Sequence, residues 1–172
     1  MKNVVLIGMP GSGKSFIGYQ IAVQLDYEFF DSDRWISEWK GQSIPEIFEN
    51  EGEASFREFE SKCLDYLLEV PGPMVISTGG GMPAIPNAME RLKKLGLVIF
   101  MNTDLNVLIE RTKKAKHRPL LHHENPEQKL RQIYEERLPI YQQADFEFHT
   151  GKTINPVDDL QRLIELNIKG KS

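Results

Sequence analysis

The chain has 172 residues and carries 21 Lys and Arg against 25 Asp and Glu, which gives a formal net charge of −4. This length fits one domain that buries about 70% of its unfolded surface, and the acidic balance argues against a protein built to coat nucleic acid. The one cysteine excludes an intramolecular disulfide and indicates a reducing compartment, and charges interrupt every apolar run before membrane-spanning length. We therefore expect a cytoplasmic protein with no nucleic-acid or membrane partner.

Short apolar runs alternate with amphipathic stretches along the whole chain. Apolar runs bounded by turn residues are typical of buried parallel strands, and helical spacing of apolar residues indicates the helices between them. In chain order, strands are predicted at 4–7, 28–30, 74–77, 97–101 and 146–148. Helices are predicted at 17–25, 35–39, 44–48, 53–69, 87–95, 104–111, 126–143 and 157–168. The alternation predicts one α/β domain, residues 1–172, with helices on both faces of a mostly parallel sheet.

Residues 8–15 read GMPGSGKS and satisfy the phosphate-loop pattern G-x-x-x-x-G-K-[ST]. Gly11 and Gly13 let the backbone wrap tightly and turn its N–H groups inward, toward the positive end of the following helix. Lys14 would reach the outer phosphates, and the Ser15 hydroxyl can bind Mg²⁺. A plain strand-to-helix turn is the alternative, but the position between a predicted strand and a helix favours nucleotide binding.

The loop does not identify the phosphoryl acceptor, because small-molecule kinases, nucleotide kinases, GTPases and motor ATPases all share it. The chain contains no N-K-x-D signature of a GTPase. Its 172 residues also leave no room for an added motor module. A compact kinase is therefore favoured.

Asp31 and Asp33 follow the second predicted strand, at the sheet edge where open parallel sheets bind ligands. In an extended chain, a spacing of two places both carboxylates on one side. One could hold a Mg²⁺-bound water while the other accepts a proton or hydrogen bond from an acceptor hydroxyl. The alternative is that residues 31–33 only cap the next helix. The neighbouring phosphate loop favours the functional interpretation.

Two further patterns have both a functional and a structural interpretation. Three glycines at 79–81 follow the third strand and could expose backbone N–H groups to a ligand, or form only a flexible turn. Arg57 and Glu60 stand three apart on a predicted helix, so the carboxylate could brace a guanidinium that binds a substrate carboxylate. From the local sequence alone, a surface ion pair is the favoured interpretation of that pair.

Basic residues are concentrated in the second half, since residues 1–86 hold 6 basic and 13 acidic side chains and residues 87–172 hold 15 and 12. The basic, poorly periodic stretch 113–125 is a candidate loop. Its Arg118 could close over ATP and neutralise charge on the transferred phosphoryl group. A solvated run of charge is the alternative. The histidines of this stretch do not support a metal site, because no defined Cys or carboxylate partner accompanies them.

Several apolar and aromatic residues are predicted to be structural. Cys63 lies on an amphipathic helix and is expected to pack rather than to act as a nucleophile. Trp35, Trp39, Phe48 and Phe56 are predicted core residues, and the two phenylalanines could also wall a small pocket.

The motifs together resemble those of the shikimate kinase family, in order and in spacing, from residue 4 to about residue 156. The ordered set beyond the generic phosphate loop is the specific part of the resemblance. It consists of Asp31-x-Asp33, Phe56-Arg57-x-x-Glu60, Thr78-Gly-Gly-Gly81, Arg118-Pro-Leu-Leu121 and Arg137-x-Pro139-x-Tyr141. The resemblance implies a three-layer P-loop kinase fold with a substrate-binding helical region at about 32–62 and a mobile lid at about 112–125.

For the acceptor, the resemblance implies that Asp33 holds the hydroxyls of shikimate and orients or deprotonates the attacking one. Arg57 and Arg137 would clamp its carboxylate, with Glu60 bracing Arg57, and the backbone of Gly80 would contact a ring hydroxyl. The implied acceptor site comprises Asp33, Arg57, Gly79, Gly80, Gly81 and Arg137, supported by Glu60, Phe48 and Phe56.

For the nucleotide, the resemblance implies ATP as co-substrate and one Mg²⁺ per subunit, bound by Ser15 and, through water, by Asp31. Arg111 would lie against adenine, and Arg118 would be the lid arginine on the transferred phosphoryl group. The implied ATP site comprises Gly11, Ser12, Gly13, Lys14, Ser15, Phe16, Arg111 and Arg118. Lys14, Asp33 and Arg118 are the implied catalytic residues.

Two positions depart from the family pattern, namely Phe16, where a threonine is usual, and Ile154, where some members have arginine. The implied activity is ATP-dependent phosphorylation of the 3-hydroxyl of shikimate by a monomeric enzyme. Another small kinase, acting on gluconate or a nucleotide, and a non-catalytic ligand-binding relative remain the alternatives.

Overall fold

A computed structural model describes residues 2–114 and 125–169 of the chain. In these residues, five strands form one parallel sheet in the order β2-β3-β1-β4-β5. The strands are β1 (Asn3–Ile7), β2 (Glu28–Asp31), β3 (Met74–Ser77), β4 (Gly96–Asn102) and β5 (Phe146–His149). The predicted parallel α/β architecture is thereby confirmed, and each strand lies within one or two residues of its predicted bounds.

Seven helices in the described residues connect and cover these strands. They are α1 (Lys14–Leu25), α2 (Ser32–Lys40), α3 (Ile44–Glu69), α4 (Ala88–Leu95), α5 (Leu105–Lys114), α6 (Pro126–Tyr141) and α7 (Pro156–Lys169). A short 3-10 helix, Met82–Ala84, follows the three-glycine turn. The region 32–62, which the resemblance assigns to substrate binding, consists of α2 and most of α3.

The long helix α3 corresponds to the two helices predicted at 44–48 and 53–69. It begins at a capping box, in which the Ser43 side chain accepts from the backbone N–H of Glu46 and the Glu46 carboxylate accepts from that of Ser43. Gly52 then takes non-helical angles, φ 81° and ψ 171°, and marks a kink between two helical segments. A side chain at this positive φ would be strained, so the glycine permits the change of direction.

The core lies on both faces of the sheet because successive residues of each strand point to opposite sides. In β1, Val5 and Ile7 pack with α3 and α4 on one face, whereas Val4 and Leu6 pack with α1 and α7 on the other. All four side chains are fully buried. This two-sided burial explains why the strand reads as an unbroken apolar run.

The stretch predicted as a loop at 113–125 is partly helical, because residues 113 and 114 complete α5. At its other end Asn125 caps α6, with its side-chain oxygen accepting from the backbone N–H of Gln128 at 3.1 Å. The residues between, including Arg118, lie outside the described residues. Among the helices of the described ranges, none is long and apolar enough to cross a membrane.

Candidate active site

The sequence motifs meet at the carboxyl ends of three neighbouring strands. The phosphate loop follows β1, Asp31 ends β2, and the three-glycine turn follows β3, which pairs with both of the other strands. The carboxyl edge of an open parallel sheet is where such folds bind ligands. The site is therefore assembled by the strand order from segments that are distant in sequence.

The phosphate loop wraps around the ammonium group of Lys14. Gly13 takes φ 91° immediately before α1, a left-handed conformation that favours glycine. The Lys14 Nζ donates to the carbonyl oxygens of Gly8 and Met9, both at 2.9 Å, and the residue is only 6% exposed. A fixed positive charge thus lies inside the loop, at the positive end of the α1 dipole.

Two side chains from later in the chain hold the outer side of this loop. Arg111 Nη1 donates to the Gly11 carbonyl oxygen at 2.8 Å, which brings α5 against the loop. The predicted contact of Arg111 with adenine stays a prediction. The hydroxyl of Thr103 donates to the Ser12 carbonyl oxygen at 3.2 Å. Sequence reasoning did not find Thr103, since no local pattern marks a threonine that follows β4.

Oxygen atoms from α1, β2 and β3 converge beside the loop. The Ser15 Oγ donates to Asp31 Oδ2 at 2.6 Å and lies 3.1 Å from the hydroxyl of Ser77, the last residue of β3. The other oxygen of Asp31 accepts from the backbone N–H groups of Asp33 and Arg34, both at 3.1 Å. Asp31 thus caps α2 and also faces Ser15. Its role toward a Mg²⁺-bound water stays a prediction.

These hard oxygen donors match the preference of Mg²⁺ for hydroxyl, carboxylate and phosphate oxygens. In residues 2–114 and 125–169, no group of three or more His, Cys, Asp and Glu could hold a metal ion. A cation at this position would therefore depend on Ser15, on Asp31 and on oxygens of a bound nucleotide.

The prediction that Asp31 and Asp33 share one side of an extended chain is wrong. β2 ends at Asp31, and Asp33 lies in the first turn of α2, because the Asp31 side chain caps the helix and ends the strand. The helical turn nevertheless directs Asp33 into the site. Its Oδ1 is buried and has no hydrogen-bond partner among the described residues.

The buried position changes the acidity of Asp33. Burial and the nearby Asp31 raise the pKa of this carboxyl to about 6, against the smaller opposing effects of Lys14 and Arg57. Loss of water around a carboxylate disfavours its charged form. A carboxyl with a pKa near neutrality suits a group that accepts a proton during a reaction.

Arg57 and Glu60 form an inward-facing ion pair on α3. Arg57 Nη1 lies 2.5 Å from Glu60 Oε2, and Arg57 Nη2 lies 2.8 Å from Glu53 Oε1. The Glu60 side chain is fully buried, so the surface pair favoured from local sequence is wrong. Burial raises the pKa of Glu60 to about 7 even though Arg57 lowers it.

Gly79 leaves room for both acids. A Cβ at this residue would lie within 3 Å of Asp33 Oδ1 and of Glu60 Oε1, so both inner carboxylate oxygens approach one point. Each of these oxygens is buried without a hydrogen-bond partner in the described chain. The Gly79 N–H donates to Ser32 Oγ at 2.7 Å, which corrects the expectation that this group is exposed to a ligand.

The other two glycines of the turn also lie against side chains of the site. A Cβ at Gly80 would lie 2.6 Å from Cδ of Pro10 in the phosphate loop, and a Cβ at Gly81 would overlap the guanidinium of Arg57. Real Cβ atoms do not approach so closely. The three glycines therefore allow the phosphate loop, the acids and Arg57 to come together.

Arg137 joins this cluster from α6. It is partly buried. Glu60 and Glu53 are both partners of Arg57. The positive charge of Arg137 has a small lowering effect on the pKa of each, which in Glu60 is outweighed by burial. The structure thus places the two arginines that were predicted to bind a carboxylate near the same two acids, the buried Glu60 and the exposed Glu53.

Phe48 and Phe56 contact each other beside Arg57, with ring centroids 4.7 Å apart. Phe56 is buried and Phe48 is partly buried, in agreement with their predicted core role. Cys63 is also fully buried, and burial raises its pKa to about 12, which fits the expected packing role. The prediction of a core position is wrong for Trp39, near the end of α2, which is 49% exposed. Its ring contacts that of Trp35 at a tilt of 32°.

The two residues that depart from the family pattern are both exposed. Phe16 lies in the first turn of α1 with 70% of its surface exposed, and Ile154 precedes α7 fully exposed. The assignment of Phe16 to the ATP site stays a prediction.

Comparison with known proteins identifies the family. A sequence profile described as SKI, shikimate kinase, matches residues 10–166. The chain belongs to the shikimate kinase family. The matched range contains almost all of the phosphate loop and every element that lines the site, so family membership covers the region where the motifs meet.

Individual members of the family match over nearly their full lengths. A shikimate kinase of Thermodesulfovibrio yellowstonii is 38% identical over 165 residues, 96% of this chain and 94% of its own. The structure of the Acinetobacter baumannii shikimate kinase in complex with shikimate has a TM-score of 0.90 at 37% identity, and covers 99% of this chain and 95% of its own. A gluconokinase of Sinorhizobium meliloti, 17% identical with a TM-score of 0.57, shares the fold alone.

Proposed function

We propose that this chain transfers the γ-phosphoryl group of ATP to the 3-hydroxyl of shikimate, giving shikimate 3-phosphate and ADP. The observation that carries the proposal is the buried, unpartnered Oδ1 of Asp33, which lies beside the Lys14 phosphate loop and faces Arg57. We also propose that the protein is a monomer and acts in the cytoplasm, as expected from the sequence.

The acceptor chemistry follows from charge and geometry. Arg57 and Arg137 offer a pair of guanidinium groups, which bind a carboxylate through parallel N–H···O bonds. Glu60 Oε2 lies 2.5 Å from Arg57 Nη1 and fixes the direction of the guanidinium group. A hydroxylated monocarboxylate satisfies these arginines and the open oxygen of Asp33 together.

In the proposed reaction, the substrate hydroxyl donates to the Asp33 carboxylate and its oxygen attacks the γ-phosphorus. The bond from this phosphorus to the bridging oxygen of ADP breaks, and the hydroxyl proton passes to Asp33. Lys14 and the inward N–H groups of the loop stabilise charge on the phosphoryl oxygens. Catalysis of this kind depends on positioning and charge rather than on a covalent enzyme intermediate.

Ser15 and Asp31 are the residues that would hold Mg²⁺, through the hydroxyl of Ser15 and through water at Asp31. The bound ion neutralises negative charge on the phosphates. Asp31 also orients Ser15 through the 2.6 Å hydrogen bond, so the two side chains form one unit.

The proposed activity is tested by ADP release from ATP and Mg²⁺, measured alone and with shikimate, gluconate or a nucleoside monophosphate. We expect stimulation by shikimate and none by the other two acceptors. Stimulation by another acceptor alone would contradict the assigned substrate. ATP binding without any acceptor-dependent release would favour a non-catalytic relative.

Replacing Arg57 with alanine tests carboxylate binding. Loss of a charge-assisted contact of about 1.5–3 kcal/mol is expected to raise the KM for shikimate about 10- to 150-fold, with a smaller effect on the KM for ATP. Steady-state kinetics with each substrate varied give both values. The matched control is Arg131→Ala, because Arg131 lies on α6 in an exposed pair with Glu127. An unchanged KM for shikimate in Arg57→Ala would show that Arg57 does not contact the acceptor.

A further inference from the structure

The hydroxyl of Tyr141, at the end of α6, lies at the junction of the acceptor site and the phosphate loop. The residue is fully buried, and its Oη donates to the Gly80 carbonyl oxygen at 2.6 Å. The same oxygen lies 3.8 Å from the sulfur of Met9 in the phosphate loop. Its aromatic ring contacts Phe100 of β4, with centroids 5.2 Å apart. One hydroxyl thus connects α6, the three-glycine turn and the phosphate loop.

Tyr141 also contacts Arg137, one helical turn earlier on α6. The Arg137 guanidinium lowers the pKa of the Tyr141 phenol by its charge and by a hydrogen bond, although burial raises that pKa overall. The phenol therefore stays neutral and donates its one proton to the Gly80 carbonyl oxygen.

The three-glycine turn has no side chains of its own to hold it. The carbonyls of Gly79 and Gly81 accept from backbone N–H groups of the 3-10 helix that follows. The Gly80 carbonyl instead accepts from Tyr141. This carbonyl belongs to the peptide group that leads into Gly81, which lies against the Arg57 guanidinium. The phenol therefore fixes the peptide that packs on Arg57.

We infer that Tyr141 is a positioning residue for the acceptor, which holds in place the Gly80–Gly81 peptide that packs on Arg57 of the proposed carboxylate clamp. It acts on Arg57 through the Gly80–Gly81 peptide. The inference rests on the proposed function and adds a residue to it that makes no contact with the reacting atoms.

Tyr141→Phe removes the hydroxyl and keeps the ring against Phe100. Loss of a buried hydrogen bond to the turn is expected to raise the KM for shikimate about three- to tenfold, with the KM for ATP and kcat within about twofold of wild type. The matched control is Tyr66→Phe, because Tyr66 is 41% exposed and stacks on Trp35 away from the turn. We expect no change of either KM in the control.

If Tyr141 had a purely structural role, Tyr141→Phe would lower Tm but would not raise the KM for shikimate more than the KM for ATP. If Tyr141→Phe is only partly folded, the Kd for shikimate of its folded fraction, measured by calorimetry, gives the same comparison. A shikimate KM and Kd within twofold of wild type would overturn the inference, as would an equal rise in the KM for ATP. Wild-type protein assayed in parallel separates the proposed function from the role of Tyr141. An inactive wild type overturns both. An active wild type with an unaffected Tyr141→Phe variant overturns only the role of Tyr141.

Discussion

Asp33→Asn is expected to lower kcat for shikimate phosphorylation about 10²- to 10⁴-fold, the range typical of a general base. The amide keeps the shape of the side chain but cannot take the proton of the attacking hydroxyl. Turnover is measured by coupled ADP release at saturating ATP and shikimate. Asp26→Asn is the matched control, because Asp26 is exposed at the end of α1 in a left-handed conformation that asparagine tolerates. Wild-type turnover in Asp33→Asn would contradict the role of Asp33.

The pH dependence gives a second readout of the same group. Burial, followed by the charge of Asp31, raises the Asp33 pKa from 3.8 to about 6, and the reaction needs the carboxylate. The wild-type kcat/KM for shikimate is therefore expected to rise with pH through about 6 and to level off above it. A profile that is flat between pH 5 and 8 would show that Asp33 does not titrate in the reaction.

Stability separates a catalytic loss from a folding defect. Because the folded-state pKa of Asp33 is raised, the native state binds more protons than the unfolded state between pH 3.8 and about 6. The stability that the protonated Asp33 carboxyl contributes is thus lost as the pH rises through that window, because the charged form of a buried carboxyl is unfavourable. Asp33→Asn is accordingly expected to retain or raise Tm at pH 8.

Lys14→Ala is expected to lower kcat about 10²- to 10³-fold, because it removes the buried cation that stabilises phosphoryl charge. The change also removes two hydrogen bonds to the loop carbonyls of Gly8 and Met9. Lys14→Arg therefore serves as a second variant, which keeps the charge but not the compact ammonium.

Lys94→Ala is the control, since Lys94 forms an exposed pair with Glu90 on α4. Folding is checked by Tm and the kinetics by ADP release. A Lys14→Ala protein that turns over at the wild-type rate would remove Lys14 from the reaction.

The parts of the site that sequence could predict are local in the chain. The phosphate loop is one contiguous pattern between a strand and a helix, so its position and the inward lysine follow from residues 8–15 alone. The parallel sheet follows from apolar runs separated by helical stretches. Family resemblance supplied the arginines, because the sequence around Arg57 does not distinguish a buried pair from a surface pair.

The remaining features arise from tertiary packing. Ser77 and Thr103 reach the phosphate loop only because β3 and β4 lie on either side of β1. Glu60 is buried because the glycine turn lies over it, which no pattern on α3 indicates. Asp33 faces the site through a helical turn and not through an extended strand, since Asp31 ends β2 by capping α2. Such contacts depend on strand order and on where helices begin.

The identity of the product tests the central claim most directly. Wild-type protein is incubated with ATP, Mg²⁺ and shikimate, and the product is examined by phosphorus–proton correlated NMR. We predict one new phosphate ester whose phosphorus couples to the proton on C3 of shikimate, formed together with an equal amount of ADP. Coupling to another ring proton, or inorganic phosphate as the sole new phosphorus signal, would contradict transfer to the 3-hydroxyl.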